Sequence, residues 1–222
     1  MNALDPNESN PCIFPPDSFP YGKKYSEWAE KWIKWSLSIP KSSNPITDKT
    51  GKNCAKSQLG PVWFLAGTFG TSEKRKCHIP FSKAIFFPII EKECSFAEEG
   101  DQLKTEADLC NRAAYLMDVV IEMKVFIDGV AVNDLEKYRA SSLVFDLFFP
   151  EDNIYGVKAG ATRSVTDGYW LLVKPLSRGN HIIHFAASAL IPKGPAEEIA
   201  KHIVKYKENI FRTEVIYDLT IF

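Results

Sequence analysis

The chain has 222 residues, of which 45% are hydrophobic, 25% charged and 13% aromatic, and its formal net charge is −1. This length and composition predict a folded chain with one large β-rich domain. The near-zero charge provides no long-range attraction for nucleic acid or anionic lipid. No segment approaches the about 18 consecutive uncharged apolar residues of a membrane-spanning helix, so we expect neither a nucleic-acid partner nor a membrane span.

The N-terminal residues predict an extended arm. Residues 1–22 are rich in proline, asparagine, serine and aspartate, and "IFPPDSFPYG" contains three prolines. The opening MNALDPNESNPC has neither the basic start nor the apolar centre of a secretory signal. These residues leave two locations open, the cytoplasm or export with a leader that this chain does not carry.

The next segment, "YSEWAEKWIKWSLSIP" (25–40), predicts an amphipathic helix near 23–39 that ends at Pro40. At about 100° per residue, Trp28, Trp32 and Trp35 share one face, here called the tryptophan stripe, and the glutamates and lysines occupy the other. A helical aromatic stripe usually packs on a core. An aromatic platform for sugar rings and insertion into a membrane surface are the alternatives, the latter weakened by a polar face with equal numbers of glutamates and lysines.

Two further helices are predicted later in the chain. Thr105 and Asp108 resemble a capping box, and the apolar residues that follow share one face of a helix over 105–118. Pro195 with two glutamates marks the start of a helix near 195–209. We find no linker that would divide residues 23–222 into two domains.

Elsewhere short segments with strand character alternate with glycine and proline turns. The predicted strands lie within 60–70, 75–80, 83–90, 119–127, 143–149, 167–176, 180–187 and 214–222. Asp128-Gly129 is a strong hairpin signal. This spacing predicts a mainly β protein, an antiparallel β-sandwich of the jelly-roll or immunoglobulin-like kind, with two or three peripheral α-helices.

The five cysteines give an expectation about redox state. None belongs to a CxxC pair, which argues against a zinc ribbon or a thioredoxin-like site. Their spacing favours two disulfides, Cys54–Cys77 and Cys94–Cys110, with Cys12 left over as a free thiol or a link between chains. The alternative is a cytosolic protein with five reduced cysteines.

Several segments together resemble a group of bacterial and archaeal proteins without an assigned activity. They are "YGKKYSEWAEKWIKWSLSIP", "GPVWFLAGTFG", "KAIFFPI" and "DGYWLLVKPLSRGNHIIHF", and the resemblance covers roughly residues 16–190 and the last strand. Many members of that group look exported, so the resemblance implies a secreted or periplasmic location with disulfides. It carries over no catalytic residues, and residues 193–210 and Cys12 look outside the shared pattern.

The sequence has no motif for an established chemistry. It lacks the G-x-S-x-G, H-E-x-x-H, P-loop and G-x-G-x-x-G patterns, so we expect no cofactor and no metal. The four histidines are dispersed, which favours separate structural roles. The acidic residues from Glu91 to Asp101 could supply oxygen ligands for calcium, but such a charge run is more typical of a solvated loop.

One aromatic group next to a carboxylate is the candidate binding surface: Trp63, Asp167, Tyr169 and Trp170. Aromatic rings beside a carboxylate are typical of sugar sites, although Asp167-Gly168 also fits a plain turn. The sequence therefore favours a non-catalytic binding or structural protein whose partner is a carbohydrate or another protein. The alternative is a glycoside-hydrolase-like enzyme with two carboxylates near an aromatic cleft.

Overall fold

The structure is a computed structural model that describes residues 12–191 and 209–222. Its strands are β1 (Val62–Phe64), β2 (Ser72–Ile79), β3 (Ala84–Ser95), β4 (Val120–Ile127), β5 (Val130–Ala131), β6 (Arg139–Ser141), β7 (Phe145–Phe149), β8 (Gly160–Val173), β9 (Gly179–Leu190) and β10 (Ile210–Ile221). Its α-helices are α1 (Tyr25–Ser38), α2 (Phe96–Glu99) and α3 (Glu106–Asp118). The predicted mainly β class is confirmed.

The strands form two five-stranded sheets. Sheet 1 has the order β1-β3-β8-β6, and β7 pairs with β8 beside β6. Sheet 2 has the order β2-β10-β9-β4-β5. Six of the eight strand pairings in the described residues are antiparallel, and the parallel ones are β1 with β3 and β2 with β10. The body is therefore a sandwich-like pair of largely antiparallel layers, as expected.

The two sheets meet through a buried aromatic layer. The Phe87 ring of β3 lies 4.7 Å from the Phe185 ring of β9, and Phe185 is also stacked with Tyr217 of β10. Residues of β10 alternate between buried and partly exposed positions, because only one face of sheet 2 contacts sheet 1. Asp128 and Gly129 connect β4 to β5 with positive φ angles of 51° and 80°, which confirms the predicted hairpin.

Helix α1 covers the opposite face of sheet 1 with its tryptophan stripe. Trp28, Trp32 and Trp35 are 5%, 1% and 6% exposed. The Trp32 ring lies 5.6 Å from the Trp170 ring of β8, which in turn stacks on Phe86 of β3 at 5.3 Å. Burial of an indole removes about 150–250 Å² from water, so the stripe is a packing face, and the main expectation for it is confirmed.

Each indole of the stripe also donates a hydrogen bond to the backbone of a segment outside the α-helices and the strands. Trp28 Nε1 donates to the Pro20 carbonyl, Trp32 Nε1 to the Leu65 carbonyl and Trp35 Nε1 to the Lys56 carbonyl, over 3.1, 2.9 and 2.8 Å. A buried indole N–H needs such an acceptor. Helix α1 thereby holds three connections as well as the sheet.

Helix α3 packs on the same side of sheet 1 as sheet 2 does, beyond the area that sheet 2 covers. Its N-terminus carries the predicted capping box, in which Thr105 Oγ1 accepts from the Asp108 backbone N–H and Asp108 accepts from that of Thr105. Leu109 and Ala113 are buried against Cys94 of β3. The predicted helix over 105–118 is confirmed, whereas the one near 195–209 falls almost entirely on residues 192–208, outside the described residues.

Part of the N-terminal arm lies along sheet 1. Ile13 forms a β-bridge with Val173 at the end of β8, and a single 3-10 turn covers Pro20–Gly22. The chain from residue 174 to residue 178 connects β8 in sheet 1 with β9 in sheet 2. The two predicted strands at 167–176 and 180–187 therefore belong to different layers.

Candidate functional site

The four residues of the predicted binding surface do not form a surface. Trp170 is 0% exposed, stacks on Phe86 and donates its indole N–H to the Ala140 carbonyl. Trp63, in β1, is 7% exposed. The expectation of an exposed indole platform for sugar rings is wrong, since both indoles belong to the core. A Trp170→Ala change would test folding and not ligand retention.

Asp167 and Tyr169 point to the other face of β8, because strand residues alternate. Asp167 is 2% exposed, and its carboxylate accepts from Arg139 Nη2 over 2.9 Å. The Arg139 guanidinium also lies 5.9 Å from the centre of the Tyr169 ring. The carboxylate, the cation and the ring are thus paired with one another, and no open Asp167–Trp170 cleft exists.

One predicted disulfide is present and the other is not. Cys54 and Cys77 are bonded, with Cα atoms 6.0 Å apart, which ties the loop before β1 to β2. Cys94 and Cys110 are both free thiols. Cys94 lies buried under α3, whereas Cys110 is on the exposed side of that helix. Because Leu109 and Ala113 occupy the face that meets β3, Cys110 points away from Cys94.

The acidic segment after Ile90 is where the structure departs most from the sequence-based expectation. Strand β3 continues to Ser95, so Glu91 and Glu93 belong to the sheet, and Glu99 ends α2. Glu93 and Glu99 are 1% and 3% exposed. The prediction of a solvated loop is wrong for these residues, since glutamates are rarely buried unless they are paired or functional.

These glutamates line a cavity of about 210 Å³ along one edge of β3. Strand β1 pairs only with Ala84–Phe86. Beyond Phe86 no strand of the described chain pairs with this edge of β3, and residues 88–93 all border the cavity. The remaining walls come from the loop 67–69, α3 and the facing ends of β9 and β10. Apolar groups dominate the walls: Trp32, Ile89, Ile90, Leu116, Met117 and Phe211.

Four carboxyl groups of this cavity each have a buried oxygen without a hydrogen-bond partner. The atoms are Oε2 of Glu91, Glu93, Glu98 and Glu99. The other oxygen of Glu93 accepts a hydrogen bond from Ser164 Oγ, which fixes the carboxyl group in place. A buried polar atom without a partner costs about 1–3 kcal/mol, and more when it is charged. Four such oxygens belong to residues that line one cavity, and of these Glu99 Oε2 has an ion-pair partner in Arg112.

Burial also changes the acidity of two of these groups. It raises the pKa of Glu91 from 4.5 to about 7, with Lys92 opposing and Glu98 adding to the effect. It raises the pKa of Glu93 to about 8, and the negative charge of Glu98 raises it further. Two carboxyl groups in the cavity therefore exchange protons near neutral pH.

Two cations and a phenol complete the polar part of the cavity. Lys92 Nζ forms an ion pair with Glu98, and although burial alone would lower the pKa of Lys92, that partner raises it. Arg112 Nε lies 3.8 Å from Glu99 Oε2, which is an ion-pair distance but no hydrogen bond. Burial raises the pKa of Tyr155 well above its usual value, so the phenol stays neutral.

A second arrangement has the connectivity of a serine–histidine–aspartate triad. His181 Nδ1 lies 2.6 Å from Asp128 Oδ2, and His181 Nε2 lies 3.3 Å from Ser177 Oγ. The Ser177 carbonyl oxygen is closer to Nε2, at 3.0 Å. Since a carbonyl only accepts, this bond requires a proton on Nε2, and a protonated Nε2 cannot take the serine proton. We interpret the group as a structural tie between two exposed turns.

The described residues contain no group of three or more His, Cys, Asp or Glu side chains that could hold a metal ion. In the same part of the chain no helix is long and apolar enough to cross a membrane.

Comparison with protein-family models and with curated proteins found no match to this chain. Nothing beyond its own residues thus connects the cavity with an activity.

Proposed function

We propose that this protein is a non-catalytic binding protein that holds a small molecule in the cavity beside β3. The observation that supports the proposal is the set of four buried carboxyl oxygens that lack hydrogen-bond partners and belong to glutamates lining a largely apolar cavity. Binding sites typically combine apolar walls with a few polar groups in fixed positions. A volume of about 210 Å³ lies below the roughly 300–1,000 Å³ of drug-sized sites, which favours a small ligand.

A bound ligand would recover part of the free energy that the unpaired carboxyl oxygens cost the protein. A ligand that donates hydrogen bonds to Glu93 and Glu99 would supply the partners that the protein lacks. The Glu93 carboxyl is already held by Ser164, so binding would not have to order it, and preorganised groups bind with less entropic loss. The apolar walls would contribute through burial of the ligand's carbon skeleton.

The partners that the sequence predicts differ in how well they fit this proposal. A sugar bound by stacking on Trp63 and Trp170 has no support, because both rings are buried. A protein partner stays a prediction, as do export and the family resemblance. The Cys54–Cys77 bond is consistent with an oxidising compartment.

A fragment screen with a blocked variant tests the proposal. Gly67 borders the cavity, and a Cβ added there would lie 3.9 Å from Pro88 Cγ, in ordinary contact. Gly67→Leu should therefore fill the cavity at little cost, while the control Ala161→Leu places a leucine side chain at an exposed position of β8. We expect some fragments to raise the melting temperature of the wild type and of Ala161→Leu but not of Gly67→Leu. A library without such fragments would refute the proposal.

One observation supports a hydrolase as the second candidate. The raised pKa values of Glu91 and Glu93, about 7 and about 8, suit a general acid at neutral pH. Chromogenic glycosides and esters should then be cleaved by the wild type and not by Glu93→Gln. Equal rates for the two proteins would eliminate this candidate.

A further inference from the structure

We infer that the ligand is a small organic cation, an ammonium or guanidinium group on an apolar body, bound through the carboxyl groups of Glu93 and Glu99. This inference rests on the proposed function and adds the chemical class of the ligand. It is carried by three features of the cavity, namely its charge, the placement of its free oxygens and the absence of a metal-binding cluster among the described residues.

The charge of the cavity favours a cation. Four carboxyl groups face it against two cationic side chains, Lys92 and Arg112. Lys92 Nζ forms an ion pair with the Glu98 carboxylate. Arg112 approaches Glu99 at 3.8 Å without a hydrogen bond. Above the pKa values of Glu91 and Glu93, about 7 and about 8, the six groups together have an excess of two negative charges, and at lower pH the protons on these two glutamates balance that excess. A bound cation would take the place of those protons.

The free oxygens have the right chemistry for N–H donors. An ionised carboxylate only accepts hydrogen bonds, and charged donors form the stronger ones. Oε2 of Glu93, a residue that lines the cavity, is buried without a hydrogen-bond partner, while Ser164 Oγ donates to Oε1. Glu99 presents a second unpaired oxygen from α2. An ammonium group has three N–H donors and could bond to both.

The surroundings favour an organic cation over a metal ion. No cluster of three potential ligands exists in the described chain, whereas Ca²⁺ takes 6–8 oxygen ligands at about 2.3–2.6 Å. Beside the carboxyl groups lie Ile89, Met117 and Phe211, which a bare ion would not contact productively. A carbon skeleton attached to the cation would fill that part of the cavity.

Binding of a cation should release protons. Glu91 and Glu93 carry protons near neutral pH because of burial, and a cation beside them favours the ionised form. The charged or titratable groups that act on these two carboxyls, or lie beside them in the cavity, come from β3, α2, α3 and the loop before β8. They are Lys92, Cys94, Glu98, Glu99, Arg112 and Tyr155.

Three probes of similar shape and different charge test the inference: benzylamine, benzyl alcohol and benzoate. We expect benzylamine, as the ammonium ion at pH 7, to bind at least about tenfold more tightly than the alcohol, since hydrogen bonds to charged groups are worth about 1.5–3 kcal/mol. Benzoate should bind weakest. Titration calorimetry in two buffers with different ionisation enthalpies should show proton release with the amine alone.

Variants separate the carboxyl groups from the cavity itself. Glu93→Gln and Glu99→Gln should each weaken amine binding at least about tenfold and change alcohol binding about twofold or less. The exposed Glu151→Gln serves as the matched control and should leave both affinities unchanged. Two glutamine variants are used so that a folding defect in one does not decide the result, and each is first checked by its melting temperature.

The possible failures are distinguishable. Alcohol binding that equals amine binding in the wild type and disappears in Gly67→Leu would overturn the cation inference and keep the cavity as a binding site. No binding of any of the three probes would also overturn the inference, and the fragment screen would then decide the proposed function. Amine binding that is unchanged in both glutamine variants would place the cation elsewhere and refute the inference as well.

Discussion

Replacing Glu93 by glutamine should make the protein more stable at alkaline pH. Each tenfold change in proton affinity corresponds to about 1.4 kcal/mol. Burial raises the pKa of Glu93 from 4.5 to about 8, so the folded protein keeps a proton that the unfolded chain loses. The stability contributed by protonated Glu93 is fully present below about pH 4.5 and is lost as the pH rises to about 8. The upper limit of this loss is roughly 5 kcal/mol.

Glutamine keeps the acceptor for Ser164 Oγ and has no charge to bury. We expect Glu93→Gln and the wild type to differ by less than about 1 kcal/mol at about pH 5, and the variant to be more stable by at least about 2 kcal/mol at about pH 9. The lower figure allows for coupling with Glu91 and Glu98.

Urea unfolding of the wild type, Glu93→Gln and the exposed control Glu151→Gln at both pH values measures this difference. The control should follow the wild type throughout. A free-energy difference between Glu93→Gln and the wild type that is the same at the two pH values would refute the reasoning about burial.

Further predictions concern the disulfide, the free thiols and one buried arginine. Replacing Cys54 and Cys77 together by alanine should lower the free energy of unfolding by about 3 kcal/mol, since the bond closes a loop of 23 residues; urea unfolding measures it, and an unchanged midpoint would contradict it. Alkylation of the native protein, followed by peptide mass analysis, should modify exposed Cys110 rapidly; an inert Cys110 would mean that α3 presents its other face to solvent. Arg75 is 1% exposed and donates to the Ala66, Gly67 and Ile46 carbonyls. Because a buried acceptor left without a partner costs about 1–3 kcal/mol, Arg75→Gln should lower the free energy of unfolding by at least about 2 kcal/mol, against under about 0.5 kcal/mol for exposed Arg178→Gln; equal midpoints for the two variants would show that Arg75 is dispensable.

The tryptophan stripe and the β4–β5 hairpin were predictable because each depends on a local pattern. Tryptophans at helical spacing can only bury together on one face, and Asp128-Gly129 readily adopts the positive φ angles of a tight turn. The burial of Trp170 also had a signal, because the run from Tyr169 to Val173 is apolar without alternation, which is typical of a strand covered on both faces. Because Trp170 closely follows Asp167-Gly168, which fits a turn, it was instead expected on an exposed surface.

The acidic cavity was not predictable from local rules. Charge runs usually face water, and glutamate is unfavourable in strands, so a strand ending near Ile90 was the reasonable expectation. Tertiary contacts decide otherwise, since Glu93 pairs with Thr166 of β8 in sheet 1 and its carboxyl group accepts a hydrogen bond from Ser164. One hint existed: between Ile90 and Gly100 the sequence contains no glycine, proline or asparagine to end the strand. The expected Cys94–Cys110 bond is absent for a similar reason. The two cysteines are close in sequence, but the turn of helix α3 places Cys110 on the exposed side, away from the buried Cys94.

The hydrogen bond from Trp32 to the Leu65 carbonyl places helix α1 directly behind one wall of the cavity, which Trp32 itself borders. Occupancy of the cavity and docking of the helix are then thermodynamically linked, since whatever fills the one restrains the other. The exchange of the Trp32 indole proton with solvent should therefore be slower when a ligand occupies the cavity. Helix α1 lies on the outer face of sheet 1, yet the stability of its docking would depend on whether the cavity is occupied.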